Sequence, residues 1–342
     1  MSQDEVYINR CLEIARNGLG SVAPNPLVGS VIVNNQKIIA EGYHQIFGGP
    51  HAEVNAINQI ENNEILKSSC LYVNLEPCSH FGKTPPCANL IIEKNIPEVV
   101  ICNHDPFDKV KGNGIKLLQN AGVKVKTGIL EQKGWFLNRR FFTFHTQKRP
   151  YIILKWAESS DGFMSKNENK STIISNEINQ KMVHKWRSEE QAIMVGKNTA
   201  LRDNPSLTVR NWQGKNPIRV LIDKNLEVPQ HFQLYDKTTK TIVFNQLKNE
   251  DLGTIQLIKI DFLEAVENQI LEHLFKLNIQ SIIIEGGAFL LNQFIKHNLW
   301  DEARITKSDE FFSNGLSAPD FPFQPKKFIN QGSNECFVYF NF

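Results

Sequence analysis

The chain has 342 residues, of which 41% are hydrophobic and 22% charged, and its net charge is +2. That length allows two cores rather than one, and no run approaches the about 20 apolar residues that a membrane-spanning helix needs. Acids and bases are interspersed, which excludes the basic footprint of a nucleic-acid binder, and six cysteines scattered at 11, 70, 78, 87, 102 and 336 form no disulfide framework. Residues 1–20 are polar and amphipathic rather than a secretory leader, so a reducing, cytoplasmic setting is expected.

Residues 7–17 read as a helix with Ile8, Cys11, Leu12 and Ala15 on one face. After Pro24-Asn25-Pro26 the pattern predicts strands at 28–33 and 37–42, joined by a turn at Asn34-Asn35. Pro50 is placed to open a helix from His51, with Ala52, Ala56, Ile57 and Ile60 facing inward. A strand at 71–75 runs into Glu76-Pro77-Cys78, and Cys87 starts a helix over 88–94. A strand at 99–102 and a helix at 114–121 follow. Such alternation predicts a sheet with helices layered on its faces. It places His51 and Cys87 in the first turns of two helices, where the dipole favours thiolate.

The segment 134–150 is aromatic and basic, through Trp135, Phe136, Arg139, Arg140, Phe141, Phe142 and Phe144, and reads as a connector. The domain boundary falls at Lys148-Arg149-Pro150, giving domains 1–147 and 148–342. Strands are then predicted at 151–157, 192–196, 218–223, 241–245, 255–260, 281–285 and 337–342, with helices at 176–188, 262–277 and 289–298. The second half is therefore an α/β domain with its own core.

His51-Ala52-Glu53, Pro77-Cys78 and Cys87 carry the most specific chemistry. One imidazole and two thiolates hold Zn²⁺ and leave a fourth position for water, whose pKa falls to about 7. Glu53, in H-x-E spacing, is suited to shuttle protons from that water to a departing amine. Residues 79–86 separate the two cysteines and include Lys83, Thr84 and turn-forming Gly and Pro, as a loop that also holds substrate would. The competing reading is a closed structural zinc site with His80 as fourth ligand.

The second half is quieter. Glu285-Gly286-Gly287-Ala288 ends a strand and opens a helix, a place where backbone N–H groups approach phosphate. A Gly-Gly pair alone is more often a tight turn, and no G-x-G-x-x-G occurs. Residues 196–210 read as a polar loop whose Thr, Asp and Arg side chains suit a hydroxylated phosphate ester, with Arg187 and Arg210 able to grip phosphate. Lys155 and Asp161 flank Ser159-Ser160, and a lysine at a strand edge is usually solvated.

Taken in order, Pro24-Asn25-Pro26-Leu27-Val28-Gly29, His51-Ala52-Glu53, Glu76-Pro77-Cys78-Ser79-His80, Lys83-Thr84-Pro85-Pro86-Cys87, Arg149-Pro150-Tyr151 and Ser160-Asp161-Gly162 resemble the bifunctional deaminase–reductases of riboflavin biosynthesis. Lys155, Ala157, the 196–210 stretch and Glu285-Gly286-Gly287 fit the reductase half, so the resemblance covers nearly the whole chain. It implies an N-terminal domain of cytidine-deaminase-like α/β/α layers and a C-terminal α/β domain like dihydrofolate reductase. It also implies two consecutive reactions on one phosphoribosyl pyrimidine: loss of the 2-amino group as ammonia, then NADPH-dependent reduction of the ribosyl side chain to ribityl.

Carried over by position, His51, Cys78 and Cys87 are the Zn²⁺ ligands, Glu53 the proton shuttle, and Asn25, His44, Lys83 and Asp105 the deaminase substrate contacts. Ala157, Ile173, Thr199, Asp203 and Gly287 match cofactor positions, and Ser171, Arg187, Leu207, Arg210 and Glu285 match reductase substrate positions. The family usually has Trp where Ile173 stands, which weakens nicotinamide stacking there. A homo-oligomer, dimer or tetramer, is expected, with no nucleic-acid or membrane partner. The alternatives are a deaminase with a decayed reductase half, a nucleoside or tRNA deaminase, which ordinarily shows C-x-x-C, and a non-enzymatic zinc scaffold.

Overall fold

A computed structural model of the chain describes residues 1–79, 86–107, 112–167, 172 and 174–342. The chain divides into two compact units, Met1–Gln147 and Lys148–Phe342. In the first, Ser2 caps helix α1 (Gln3–Ala15): its hydroxyl accepts from the Glu5 N–H, and the Glu5 carboxylate accepts from the Ser2 N–H at 2.6 Å. This capping box starts the helix earlier than the apolar spacing alone indicated.

Strands β1 (Gly29–Asn34) and β2 (Lys37–Tyr43) form a hairpin. Its left-handed turn residues are Asn35 and Gln36, one position beyond the expected pair. Helix α2 (Ala52–Ile57) follows, then β3 (Cys70–Leu75), α3 (Cys87–Glu93), β4 (Glu98–Asn103), α4 (Asn113–Asn120) and the short β5 (Lys124–Lys126). The sheet order is β2-β1-β3-β4-β5, antiparallel on the β2 side and parallel from β3 to β5.

The 134–150 stretch is not a connector. It is mostly helical, in α5 (Glu131–Leu137) and α6 (Arg139–Gln147). Asn138, between them, is buried and receives the Leu27 N–H at 2.8 Å while donating to the Leu27 carbonyl, which ties the helices to the loop before β1. Phe141 and Phe142 pack on Leu75. An aromatic, basic composition misled because three of its five rings, Phe141, Phe142 and Phe144, are core while Phe136 is exposed.

The second unit runs β6 (Tyr151–Glu158), β7 (Phe163–Ser165), α7 (Glu177–Glu189), β8 (Ala192–Gly196), α8 (Lys197–Asp203), β9 (Ile218–Ile222), β10 (Thr241–Asn245), β11 (Glu250–Asp251), β12 (Ile255–Lys259), α9 (Val266–Lys276), β13 (Ser281–Ile284), α10 (Ala288–Lys296), β14 (Glu302–Ser308), β15 (Leu316–Ser317), β16 (Lys327–Gln331) and β17 (Asn334–Phe340). The large sheet has the order β11-β12-β10-β9-β8-β13-β6-β14-β17-β16. Strands β12 through β14 in that order are parallel, so their carboxyl ends share one edge.

Strands β6, β8 and β13 are almost wholly buried, as parallel strands covered on both faces must be. Three features escaped the sequence reading. Residues 197–203 are helix α8, not loop. Strand β14 pairs with β6 near the middle of the sheet although its sequence, Glu-Ala-Arg-Ile-Thr-Lys-Ser, lacks an apolar run. The C-terminal aromatics also have a place: Phe321 and Phe323 pack on Trp300, and Phe321 on Trp156 and Tyr339. Among the described residues no helix is long and apolar enough to cross a membrane, and all six cysteines are free.

Candidate active sites

Helix α2 lies against β2 at Gly42, where an added Cβ would come within 2.7 Å of the Ala52 carbonyl oxygen. That close approach fixes the start of α2. His51 is its N-cap, with extended backbone, rather than a member of the first turn. Cys78 follows the end of β3, and Cys87 is the first residue of α3. The Cys87 N–H donates to the Cys78 sulfur at 3.3 Å, and Ala88 N–H to the Cys78 carbonyl at 3.1 Å, so the start of α3 holds the Cys78 loop in place.

His51 Nδ1 stands 3.5 Å from Cys78 Sγ and 3.3 Å from Cys87 Sγ, and all three ligand atoms lie within 4.8 Å of one another. Tetrahedral zinc with ordinary Zn–N and Zn–S bonds separates N from S by about 3.6 Å, so the donor set fits this ion. Its protonation chemistry fits too. A hydrogen bond from Cys87 outweighs burial and pulls the Cys78 thiol well down, helped by His51. The Cys78 sulfur and burial push Cys87 up in return. Two sulfurs and an imidazole competing for protons in one half-buried spot are what a divalent cation relieves.

Glu53, in the first turn of α2, is 3% exposed, and burial raises its carboxyl above the usual range against the opposing pull of His51. His44 Nδ1 faces the Pro50 carbonyl at 2.9 Å, and its Nε2 faces the Asn25 amide nitrogen at 3.0 Å. A carbonyl only accepts, so Nδ1 carries the proton, Nε2 accepts from Asn25, and the ring is neutral. Burial lowers its pKa accordingly. The His44 and His51 rings meet edge to face at 5.4 Å. Asn25, His44, His51 and Glu53 are thus gathered at one place.

Asp105, just past β4, is buried and pushed up to about 7 by that burial, although its carboxylate accepts from the Phe107 N–H. The sequence reading passed over Glu76, which accepts from the N–H groups of Asp105, Gly112 and Gly114 at 3.0–3.3 Å. It joins the Cys78 loop to the Asp105 loop, and an acid directly before Pro-Cys was the available signal. Lys83 and His80 lie outside the described residues.

In the second unit, the matched positions collect at the carboxyl edge of the sheet, where open α/β sheets bind ligands. Ala157 is near the end of β6, Thr199 and Asp203 are in α8 after β8, Glu285 follows β13, and Gly287 is the N-cap of α10. A Cβ on Gly287 would stand 3.4 Å from the Thr199 hydroxyl. Asp203 and Arg210 line one pocket of about 680 Å³ with Ser206 and Thr208, and Leu207, buried, lies between those two. Ser171 and Ile173 lie outside the described residues.

Arg187, from α7, is paired with Glu285 and the 208 loop. Its Nε and Nη2 donate to Glu285 at 3.3 and 2.6 Å, and Nη1 donates to the Thr208 carbonyl at 3.4 Å. Lys155 is in β6, between β13 and β14, and not at a sheet edge. Burial lowers its pKa, with Glu285 opposing and Arg187 reinforcing, so this lysine sits enclosed beside that pair. A single lysine inside the run 151–157 was the sequence signal that this cation is enclosed.

Burial raises Glu285, but the charges of Arg187 and Lys155 more than offset it and hold the carboxyl at about 2. A depressed acid stabilises the fold above its unfolded pKa and loses that contribution as pH falls through the folded value. About 1.4 kcal/mol per pH unit is expected to disappear between roughly pH 4.5 and 2. Acid-unfolding curves of Glu285→Gln should lack that part of the wild-type slope, and identical curves would refute the coupling.

Fold and sites define a zinc-site deaminase of the cytidine-deaminase class followed by an α/β reductase domain on a largely parallel sheet. Residues 1–103 match the cytidine and deoxycytidylate deaminase zinc-binding region, and residues 150–308 match the RibD C-terminal domain. The chain is 38% identical over 322 residues to the riboflavin biosynthesis protein RibD of Aquifex aeolicus, covering 93% of this chain and 90% of the relative. Against the RibD of Bacillus amyloliquefaciens it is 40% identical over 308 residues, 87% of this chain and 82% of the relative.

A crystal structure from Thermotoga maritima, a diaminohydroxyphosphoribosylaminopyrimidine deaminase/5-amino-6-(5-phosphoribosylamino)uracil reductase, is similar with a TM-score of 0.88 and 35% identity. It covers 98% of each chain. The chain belongs to the RibD family of riboflavin biosynthesis, bifunctional enzymes with a zinc-binding deaminase domain and a reductase domain.

Proposed function

We propose that residues 1–147 deaminate the diaminohydroxyphosphoribosylaminopyrimidine acted on by the Thermotoga maritima relative, and that residues 148–342 reduce the deaminated product, 5-amino-6-(5-phosphoribosylamino)uracil, with NADPH. The observation that carries this reading is the convergence of His51, Cys78 and Cys87 ligand atoms beside a buried Glu53. Zinc, when bound by these three residues, supplies a water acidic enough to attack near neutral pH.

The chain's own groups do the rest. Glu53 takes one proton from the attacking water and gives it to the ring nitrogen, then takes the second from the hydroxyl formed on the attacked carbon and gives it to the amine, which leaves as ammonia as the carbonyl forms. Asn25 and neutral His44 line the approach, where the Asn25 amide orients a ring acceptor, and Asp105 and Lys83 complete the substrate contacts. In the second domain Gly287, Thr199, Asp203, Ala157 and Ile173 would hold NADPH, which when bound would supply hydride. Lys155 delivers the proton that balances reduction of the opened sugar, beside Glu285, with Arg187, Leu207, Arg210 and Ser171 holding the substrate. Six free thiols suit a cytoplasmic enzyme.

The test follows both half-reactions separately, ammonia release from the pyrimidine and NADPH oxidation with the deaminated intermediate supplied. Stripping zinc with a chelator is expected to stop the first and spare the second, with restored zinc reviving ammonia release. Ammonia release by the stripped protein would refute the zinc assignment. No NADPH oxidation by the intact protein would leave it a deaminase alone.

A further inference from the structure

Arg219 has no exposed surface and sits in β9, flanked by β8 and β10. Its five N–H groups meet five acceptors. Nε donates to the Ser206 carbonyl at 2.8 Å, Nη1 to the Leu234 carbonyl at 3.3 Å and to Asp236 at 2.7 Å, and Nη2 to Asp236 at 3.2 Å and Thr238 Oγ1 at 3.1 Å. A well-packed apolar side chain is commonly no worse for stability than a buried ion pair. What the guanidinium adds here is direction: a planar fork that fixes two loops against one strand.

Ser206 is the junction between that fork and the pocket. Its carbonyl accepts from Arg219, while its hydroxyl accepts from Arg210 Nη1, which also donates to Thr208 Oγ1 at 3.1 Å. Between Ser206 and Thr208, Leu207 has φ of +53°, a left-handed conformation that a residue with a Cβ keeps only when its surroundings impose it. Further ties hold the same loop: the Val209 N–H donates to Asn216 Oδ1 at 2.8 Å, and the Gln233 N–H to Asn204 Oδ1 at 2.8 Å. The Arg219 tie reaches Ser206, one of the two side chains that hold the Arg210 guanidinium, while Arg187 donates to the Thr208 carbonyl and the Arg210 N–H to His184 Nδ1 at 3.1 Å. Arg210 itself is exposed toward the pocket.

We propose that Arg219, clamped by Asp236, is a positioning residue of the reductase: it fixes Ser206 and Leu207 and so sets the direction in which Arg210 is presented to the anionic end of the substrate. The inference rests on the assignment of Arg210 to substrate made above. It adds a residue that touches neither substrate nor cofactor and acts through one that does.

The test uses the full, zinc-loaded chain and reads KM and kcat for NADPH-dependent reduction of the deaminated intermediate, together with the NADPH Kd. Arg219→Lys keeps the charge and loses the fork. Asp236→Asn releases the clamp at a side chain that is 34% exposed, so it decides alone if the lysine variant fails to fold. Each is expected to raise KM about 10-fold or more, the size of one lost charge-assisted hydrogen bond, while kcat and the NADPH Kd hold within about twofold. Combined with Arg210→Ala, Asp236→Asn should add nothing, because both act on one contact. An unchanged KM in Arg210→Ala overturns the assignment of Arg210. A raised KM there with an unchanged KM in folded Asp236→Asn, or losses that multiply in the double variant, overturns the positioning role of Arg219.

Discussion

Glu53→Gln protein is expected to retain its zinc and to release ammonia about 10²–10⁴ times more slowly than the wild type. The three ligand atoms come from His51, Cys78 and Cys87, so an amide at position 53 leaves the donor set whole. Glutamine also has the shape of glutamate, and the site around Glu53 is closed, with 3% of the residue exposed, so no cavity or new solvent path opens. What changes is proton capacity. A carboxylate accepts a proton from water and gives it up again; an amide does neither at neutral pH. The loss corresponds to about 3–5 kcal/mol of barrier. Metal analysis and an ammonia assay on the same preparation decide the matter. A variant within tenfold of wild-type activity, or one that has shed its zinc, would sink the role given to Glu53.

Gly287→Val is expected to abolish NADPH oxidation while the protein keeps its fold, its zinc and its ammonia release. Gly287 has φ of −66°, open to any residue, and an added Cβ meets nothing nearer than the Thr199 hydroxyl at 3.4 Å. The folded chain therefore tolerates the side chain, and melting should shift by no more than about 2 °C. A ligand phosphate does not tolerate it. The N–H groups at the start of α10 reach an anion only if nothing stands over them, and valine methyls fill the gap between α10 and Thr199. Each charge-assisted hydrogen bond lost weakens binding about 10- to 100-fold, so two lost contacts already remove measurable turnover. Calorimetry with NADPH supplies a readout independent of activity. Wild-type affinity in the variant would move the cofactor elsewhere on the sheet edge.

How far these sites were legible depended on spacing. His51, Glu53, Cys78 and Cys87 were readable because metal chemistry restricts residue type, and a sequence preserves type and order. The neutral tautomer of His44 was not, since it depends on Pro50 and Asn25 closing on opposite ring nitrogens. Strands β8 and β10 announced themselves as apolar runs. Strand β14 did not, because its buried polar groups are held by one another and by partners far away in sequence: Arg304 Nε donates to Glu302 at 2.7 Å and pairs with Glu190, Tyr151 donates to Glu302, and Asn179 donates to Thr306. Lys155 was read as solvated for the same reason: its neighbours Glu285 and Arg187 lie about 130 and about 30 residues further along the chain. Polar groups buried by distant partners carry no local periodicity to read.

Strand β6 has β13 on one side and β14 on the other, and neither follows it closely in the chain. During synthesis, residues 151–158 leave the ribosome more than a hundred residues before either neighbour exists. For that interval a largely buried strand of the second domain has two bare edges, and an unpaired apolar strand is a template for association with other chains. Completion waits on long-range closure, which is slow compared with local helix pairing. The first domain carries no such delay, since its strands from β1 to β4 pair within a span of 75 residues, 29 to 103. A nascent chain halted before residue 302 would thus hold a finished deaminase tethered to an adhesive, half-built sheet, and cellular yield of the enzyme would turn on how well chaperones shield that one strand.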